Sequence, residues 1–88
     1  MALYYFDLRD GDELVADEEG MELSNLNAVQ EEAARALIGL AGDALIGLAG
    51  DSVRHFNGAK SHQMTIEVRD HLGPVMEVCF AFEIARRQ

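Results

Sequence analysis

The sequence predicts an α+β fold: a two-layer ββαββ arrangement, with one long helix packed on one face of a four-stranded, mainly antiparallel sheet. Three observations predict it. Two pairs of alternating apolar segments stand near the two ends of the chain, each pair joined by a short glycine-containing turn. Between them lies a stretch rich in alanine, leucine and glutamate, with no proline before Pro74. Four strands leave one apolar face open, and a single helix is the element available to cover it.

The first strand spans residues 3–9, LYYFDLR, where Tyr4, Phe6 and Leu8 alternate with Tyr5, Asp7 and Arg9. DGD at 10–12 is a hairpin signal, because Gly11 accepts a positive φ. A shorter strand follows at about 13–17. A two-residue turn puts Val15 inward. A three-residue loop puts Leu14 and Ala16 inward and sets Arg9 opposite Glu13, which favours the loop. DEEGMEL, residues 17–23, reads as a turn leading to a helix start. Ser24 is the expected cap, with Leu23 as staple; Asn27 with Gln30 is a second candidate cap.

The helix is expected from 25 to about 50, and NGAKSH at 57–62 reads as a loop. MTIEVR at 64–69 is the third strand, with Met64, Ile66 and Val68 on one face. DHLGP turns the chain, with Gly73 in the left-handed position of a three-residue loop. The longest strand is 75–84: Met76, Val78, Phe80, Phe82 and Ile84 share one face, and Glu77, Cys79, Ala81 and Glu83 the other. The expected core sets Phe6, Leu8, Ile66, Val68, Val78, Phe80 and Phe82 against Leu26, Val29, Ala33, Leu37 and Leu40.

The helix contains one octapeptide written twice, ALIGLAGDALIGLAGD at 36–51. An eight-residue step rotates the second copy by about 80°, so the two copies present different faces. Leu26, Val29, Ala33, Leu37, Leu40, Ala44 and Leu48 lie within about 60° of one line, the stripe expected on the sheet. Opposite them the first half carries Glu31, Glu32 and Arg35. The second half carries Ile38, Leu45, Ile46, Ala49 and Val53 instead, a second apolar stripe. Residues 25–50 would run about 39 Å as one helix, against about 20–27 Å for strands of six to eight residues. An apolar overhang of some two turns is therefore expected, and a homo-oligomeric contact through Ile38, Leu45, Ile46 and Ala49, in its simplest form a two-fold dimer. A break at Gly42-Asp43, folding the second copy back, and a duplication tolerated without function are the competing readings.

Eighty-eight residues suit a single domain, 1–88, with one thin core. Sixteen acidic and seven basic side chains give a formal charge of −9. That disfavours nucleic acid and anionic membranes as partners, both of which need dense positive surface. The stretch 36–50 is too short to span a bilayer and carries Asp43 at its centre. One cysteine suits a reducing compartment. Met1-Ala2 lead straight into a strand pattern with no basic-then-apolar signal, so the cytoplasm is the expected location.

No catalytic, cofactor or metal site is expected. RDGDELVADEEG lacks the ligand alternation and terminal glutamate of an EF-hand loop. His55, His62 and His71 fall in expected loop or turn contexts without metal-ligand spacing, so they read as surface residues. Cys79 reads as a small semi-buried side chain rather than a nucleophile. The octapeptide glycines lack the lysine and hydroxyl of a phosphate loop, and no serine stands in a nucleophile elbow. Tyr4-Tyr5-Phe6 has acidic flanks, which favours core packing with an exposed Tyr5 over base stacking.

YYFDLRDGDELVADEEGMEL, then AVQEEAARAL, then TIEVRDHLGPV together resemble a family of small uncharacterised bacterial proteins, a domain of unknown function. The resemblance covers nearly the whole chain apart from one octapeptide and the 52–62 loop. It implies the same ββαββ order and no activity. It also marks the second octapeptide as an insertion. By fold analogy alone, small antitoxin-like domains are similar. The function expected is a non-catalytic, self-associating interaction or regulatory module. The alternatives are an antitoxin-like inhibitor of a protein partner and a small enzyme whose site is completed at a subunit interface.

Overall fold

The computed structural model describes residues 1–55 and 59–85, and the side chains of 1–47 and 61–85. The elements in chain order are β1 (Ala2–Asp10), β2 (Glu13–Val15), β3 (Met21–Leu23), α1 (Leu26–His55), β4 (Ala59–Asp70) and β5 (Gly73–Ala85). All pairings are antiparallel, in the order β2-β1-β4-β5, with β3 also on β1. The α+β architecture with one helix on one sheet face is as expected, but the sheet has five strands, not four. β3 is the addition, at three residues too short to carry a period-two signal.

Turn chemistry corrects two registers. Asp10 pairs with Glu13, so the first turn is the two-residue Gly11-Asp12, with Gly11 at φ 61°. Arg9 therefore lies opposite Leu14, not Glu13, and finds its carboxylate on β4 instead. Val15 gains no burial from this register: it, Leu14 and Ala16 are all exposed. At the second turn Asp70 pairs with Gly73 across His71-Leu72, again two residues where three were expected. Asp70 Oδ1 accepts the Leu72 N–H at 2.8 Å, and Gly73 takes φ 128°. Beyond it Arg69 pairs with Pro74 but Val68 with Met76, so Val75 is a bulge.

The helix begins one residue later than the Ser24 reading placed it. Asn25 Oδ1 accepts the Ala28 N–H at 2.8 Å, so Asn25 is the cap, rather than Ser24 or Asn27. From there α1 runs unbroken through Gly42-Asp43, which removes the fold-back geometry. Its buried line is Val29, Ala33, Leu37 and Ala41, all at 3% exposure or less. Steps of four advance the contact by about 40° each, so the line winds around the helix as it crosses a twisted sheet. Leu26 and Leu40 fall off that line and are 54% and 39% exposed; Ala41 takes the place expected of Leu40. Leu48 lies outside the described side chains.

Under the helix, Met64, Ile66 and Val68 are buried to 3% or less, and Tyr4 to 9%. Phe6, Leu8, Met76 and Val78 pack partly buried around them. Phe80 lies on the helix-facing side in the expected register, opposite Met64, yet is 36% exposed. β5 is an edge strand, and among the described residues no further strand covers its flank.

The length mismatch behind the expected overhang does not occur, because the strands are longer than expected. β4 has 12 residues and β5 has 13, and β4 begins at Ala59, inside the segment expected to be a loop. At about 3.4 Å per residue the hairpin reaches some 40 Å, close to the roughly 45 Å of a 30-residue helix. β1 pairs with β4 no further than Met64, so residues 59–63 and 81–85 continue as a two-stranded arm beyond the main sheet. The molecule is elongated accordingly, 52 × 21 × 16 Å.

Candidate functional site

The second apolar stripe is the first candidate. Ile38 is 67% exposed and Ile46 73%, while Leu45, four residues past Ala41 on the winding buried line, is 38% exposed. Ala49 and Val53 lie outside the described side chains. Backbone packing explains the separation: Leu45 stands about 180° from Ala36 around the helix axis. Ala36 and Glu32 line a groove with Phe6, Asp17, Glu19 and Gly20 on the β1 side. Ile38 and Leu45 are thus turned toward the β5 side, Ile38 the more exposed of the two.

A polar cluster that the sequence reading did not single out occupies the other sheet face, where odd-numbered residues of β1 and β4 project. Asp7 is the one buried charged residue among those described, at 7% exposure. Its Oδ2 accepts Arg69 Nε at 2.8 Å, and its Oδ1 accepts the Asp17 N–H at 2.9 Å. Arg69 also donates to the Asp17 carbonyl at 3.1 Å and lies over the Tyr5 ring, 4.4 Å from its centroid. Tyr5, expected to be exposed, is therefore half-buried. Next along the face, Arg9 and Glu67 pair at 2.7 Å, both partly exposed.

Asp17 completes the cluster. β2 and β3 pair with the two ends of β1 and leave Tyr5–Asp7 without a strand on that edge. Asp17 Oδ2 fills the gap by accepting the Phe6 N–H at 3.1 Å, as a neighbouring strand's carbonyl would. Its Oδ1 accepts the Glu19 and Gly20 amides at 3.1 and 3.2 Å. Burial is the largest single influence on this carboxyl and pushes its pKa up. The Phe6, Gly20 and Glu19 amides and the Arg69 charge together outweigh it and hold the pKa below the ordinary aspartate range. The Arg69 guanidinium is raised further above its usual value, first by its hydrogen bond to Asp7. Gly20, at φ 75°, fits where a Cβ would meet Leu3 Cδ1 and the Tyr4 carbonyl at 3.0 Å. Asp7, Asp17, Gly20 and Arg69 all fall within the segments that carried the family resemblance.

The histidines divide. His62 is not in a loop: it sits on β4, half-buried, its ring 5.6 Å from that of Phe82. Its Nε2 is enclosed 2.6 Å from Asp10 Oδ1, off line for a hydrogen bond, so the contact is electrostatic when the ring is protonated. His71 is exposed at its turn, and the His55 side chain lies outside the described residues. Cys79 is free and exposed rather than semi-buried, and Gln63 Nε2 donates to its Sγ at 3.2 Å. Among the described residues no group of three His, Cys, Asp or Glu side chains could hold a metal ion. No helix there is long and apolar enough to cross a membrane.

A long helix on an antiparallel sheet, with a carboxylate–guanidinium clasp behind it, is a small α+β domain of the kind the resemblance implies. The chain belongs to the family described as Domain of unknown function (DUF6894), whose profile matches residues 3–81. No curated protein and no solved structure matches the chain significantly.

Proposed function

We propose that the protein is a non-catalytic interaction module that works as a homo-oligomer, in its simplest form a two-fold dimer. One observation carries this reading: α1 buries Val29, Ala33, Leu37 and Ala41 on its own sheet while leaving Ile38, Leu45 and Ile46 in solvent. A second copy is the occupant that the charge pattern favours. The chain carries −9, but from Ala36 to Gly47 its only charge is Asp43, so two copies meet there without massing their acids. A two-fold axis lets one apolar surface be buried by its own duplicate. The polar cluster supports a non-catalytic role, since the Asp7, Asp17 and Arg69 groups are engaged in holding one corner of the sheet. We further place the module in a bacterial cytoplasm. The resemblance supplies the first term, and the free, exposed Cys79 suits a reducing compartment.

Molar mass by light scattering tests the proposal. Wild type is expected at twice the 9.7 kDa chain mass. The double substitution Leu45→Lys, Ile46→Glu is expected at the monomer mass with an unchanged circular dichroism spectrum. A monomeric wild type at high protein concentration overturns it.

A further inference from the structure

We infer that the second copy docks along the free edge of β5, with the two-fold axis at Cys79, so that two sheets join into one and the helices lie side by side. This rests on the self-association proposed above and specifies its geometry.

The edge is identifiable from the ladder. The Phe6 N–H points away from β4, to Asp17, so it is the odd residues of β1 that bond to β4. The registers Asp7↔Glu67 and Ile66↔Val78 carry the alternation across β4. In β5 past the bulge, the even residues then bond to β4. Glu77, Cys79, Ala81 and Glu83 turn their N–H and C=O groups to the open edge. Such an edge is a template for another strand. The guards on this edge are confined to one end or one face: Pro74 and the Val75 bulge lie at the start of the strand, and the two glutamates have side chains on the outer face.

The edge is also complementary to itself. Residues paired directly across an antiparallel two-fold lie on the same face, so the axis must pass through a residue. An axis at Phe80 would oppose Glu77 to Glu83 of the other copy twice over, which like charge disfavours. An axis at Cys79 sets Glu77 opposite Ala81, Phe80 opposite Val78, and Phe82 opposite Met76. Cys79 is also the midpoint of Met76–Phe82, so this register pairs the regular stretch past the Val75 bulge with its own copy. Phe80, left 36% exposed by its own chain, gains a neighbour on the side it lacks one. Ile38 and Leu45 already face the β5 side of α1. Joining the sheets therefore brings the two helices together along the stripe that the sequence marks out.

Ala81→Pro tests the edge, because it removes an outward-facing donor and leaves the β4 ladder intact. The expected result is a dimeric wild type and a folded, monomeric Ala81→Pro. In addition, a short bismaleimide should link wild-type copies through Cys79, since residues at the axis face each other about 5.5 Å apart. If Ala81→Pro unfolds, the wild-type crosslink decides alone. A dimeric Ala81→Pro, or a wild-type dimer that Cys79 cannot crosslink, overturns the edge geometry and leaves self-association standing. A monomeric wild type overturns both.

Discussion

The N–H of Asp17 donates to Asp7 Oδ1 at 2.9 Å, while the Asp17 carboxylate turns back to accept the N–H of Phe6, the residue next to Asp7, at 3.1 Å. The two aspartates thus form a clasp between β1 and the corner that links β2 to β3. Arg69, reaching from β4 to Asp7 and to the Asp17 carbonyl, closes it from the far side. Three segments distant in sequence meet in one set of hydrogen bonds. Its task is structural, because it supplies partners to the edge of β1 that β2 and β3 leave open at Tyr5–Asp7.

Asp17→Asn should destabilise the fold by about 1–3 kcal/mol, measured as a shift in the urea midpoint. Both carboxylate oxygens accept from backbone amides, and an amide side chain can accept with only one of them. The sign of the pH effect follows from the lowered pKa. Above the unfolded aspartate pKa of about 3.9, Asp17 is ionised in both states and its contribution is fully present. As pH falls below that value the unfolded chain takes up the proton first, and the contribution is lost as pH passes through the lower folded pKa. Wild type should lose stability more steeply than Asp17→Asn as the pH falls below about 4. Parallel curves would refute the assignment.

The cap offers a sharper contrast. Asn25→Ala should cost about 1 kcal/mol, because it orphans the Ala28 N–H at the helix start. Ser24→Ala should cost little, since among the described residues its hydroxyl meets only the Asn25 side chain, at 3.4 Å. Thermal melts of the two variants check the ranking. The reverse order would return the cap to Ser24.

What the sequence made legible was what periodicity encodes. Met64, Ile66 and Val68 alternate without interruption and are the best-buried residues of the sheet. The helix is long and lacks proline, and it forms as one element. Lys60 and His62 hid the arm of β4, because polar residues on the inward positions erased the alternation that announces a strand. The clasp was hidden for a different reason. Asp7 occupies an outward position, where a lone aspartate reads as solvated, and its partners stand 10 and 62 residues away. Only the turn at 17–20 brings them together. One signal was available: an aspartate in a strand interior runs against β propensity and asks for a partner.

Glycine substitutions separate constraint from tolerance. Gly20→Ala should be strongly destabilising: its φ is 75°, and the new Cβ would stand 3.0 Å from the Tyr4 carbonyl. Gly39→Ala meets nothing within 4 Å on a helical backbone and should stabilise the isolated chain by about 1 kcal/mol. Denaturation midpoints under dilute conditions give both signs. A neutral Gly20→Ala would mean that the corner does not pack as tightly as its geometry shows.

Deleting residues 44–51 asks what the duplicated octapeptide does. Eight helical residues span about 12 Å. The arm of residues 59–63 spans about 17 Å of strand. The two lengths are close, and the arm starts where β1 stops, at Met64. The extra helix turns and the extra strand length therefore match. A helix shortened by two turns is expected to leave Ala59–Gln63 and Ala81–Ala85 without a covering layer. The deletion should keep amide protection in Thr65–Asp70 and lose it in the arm. It should also reduce a dimeric mass to that of the monomer, since Leu45 and Ile46 go with the deleted copy. Hydrogen exchange and light scattering on the same sample read both effects. Retained protection in the arm would show that the hairpin stands without the helix, and the matching lengths would then be coincidental.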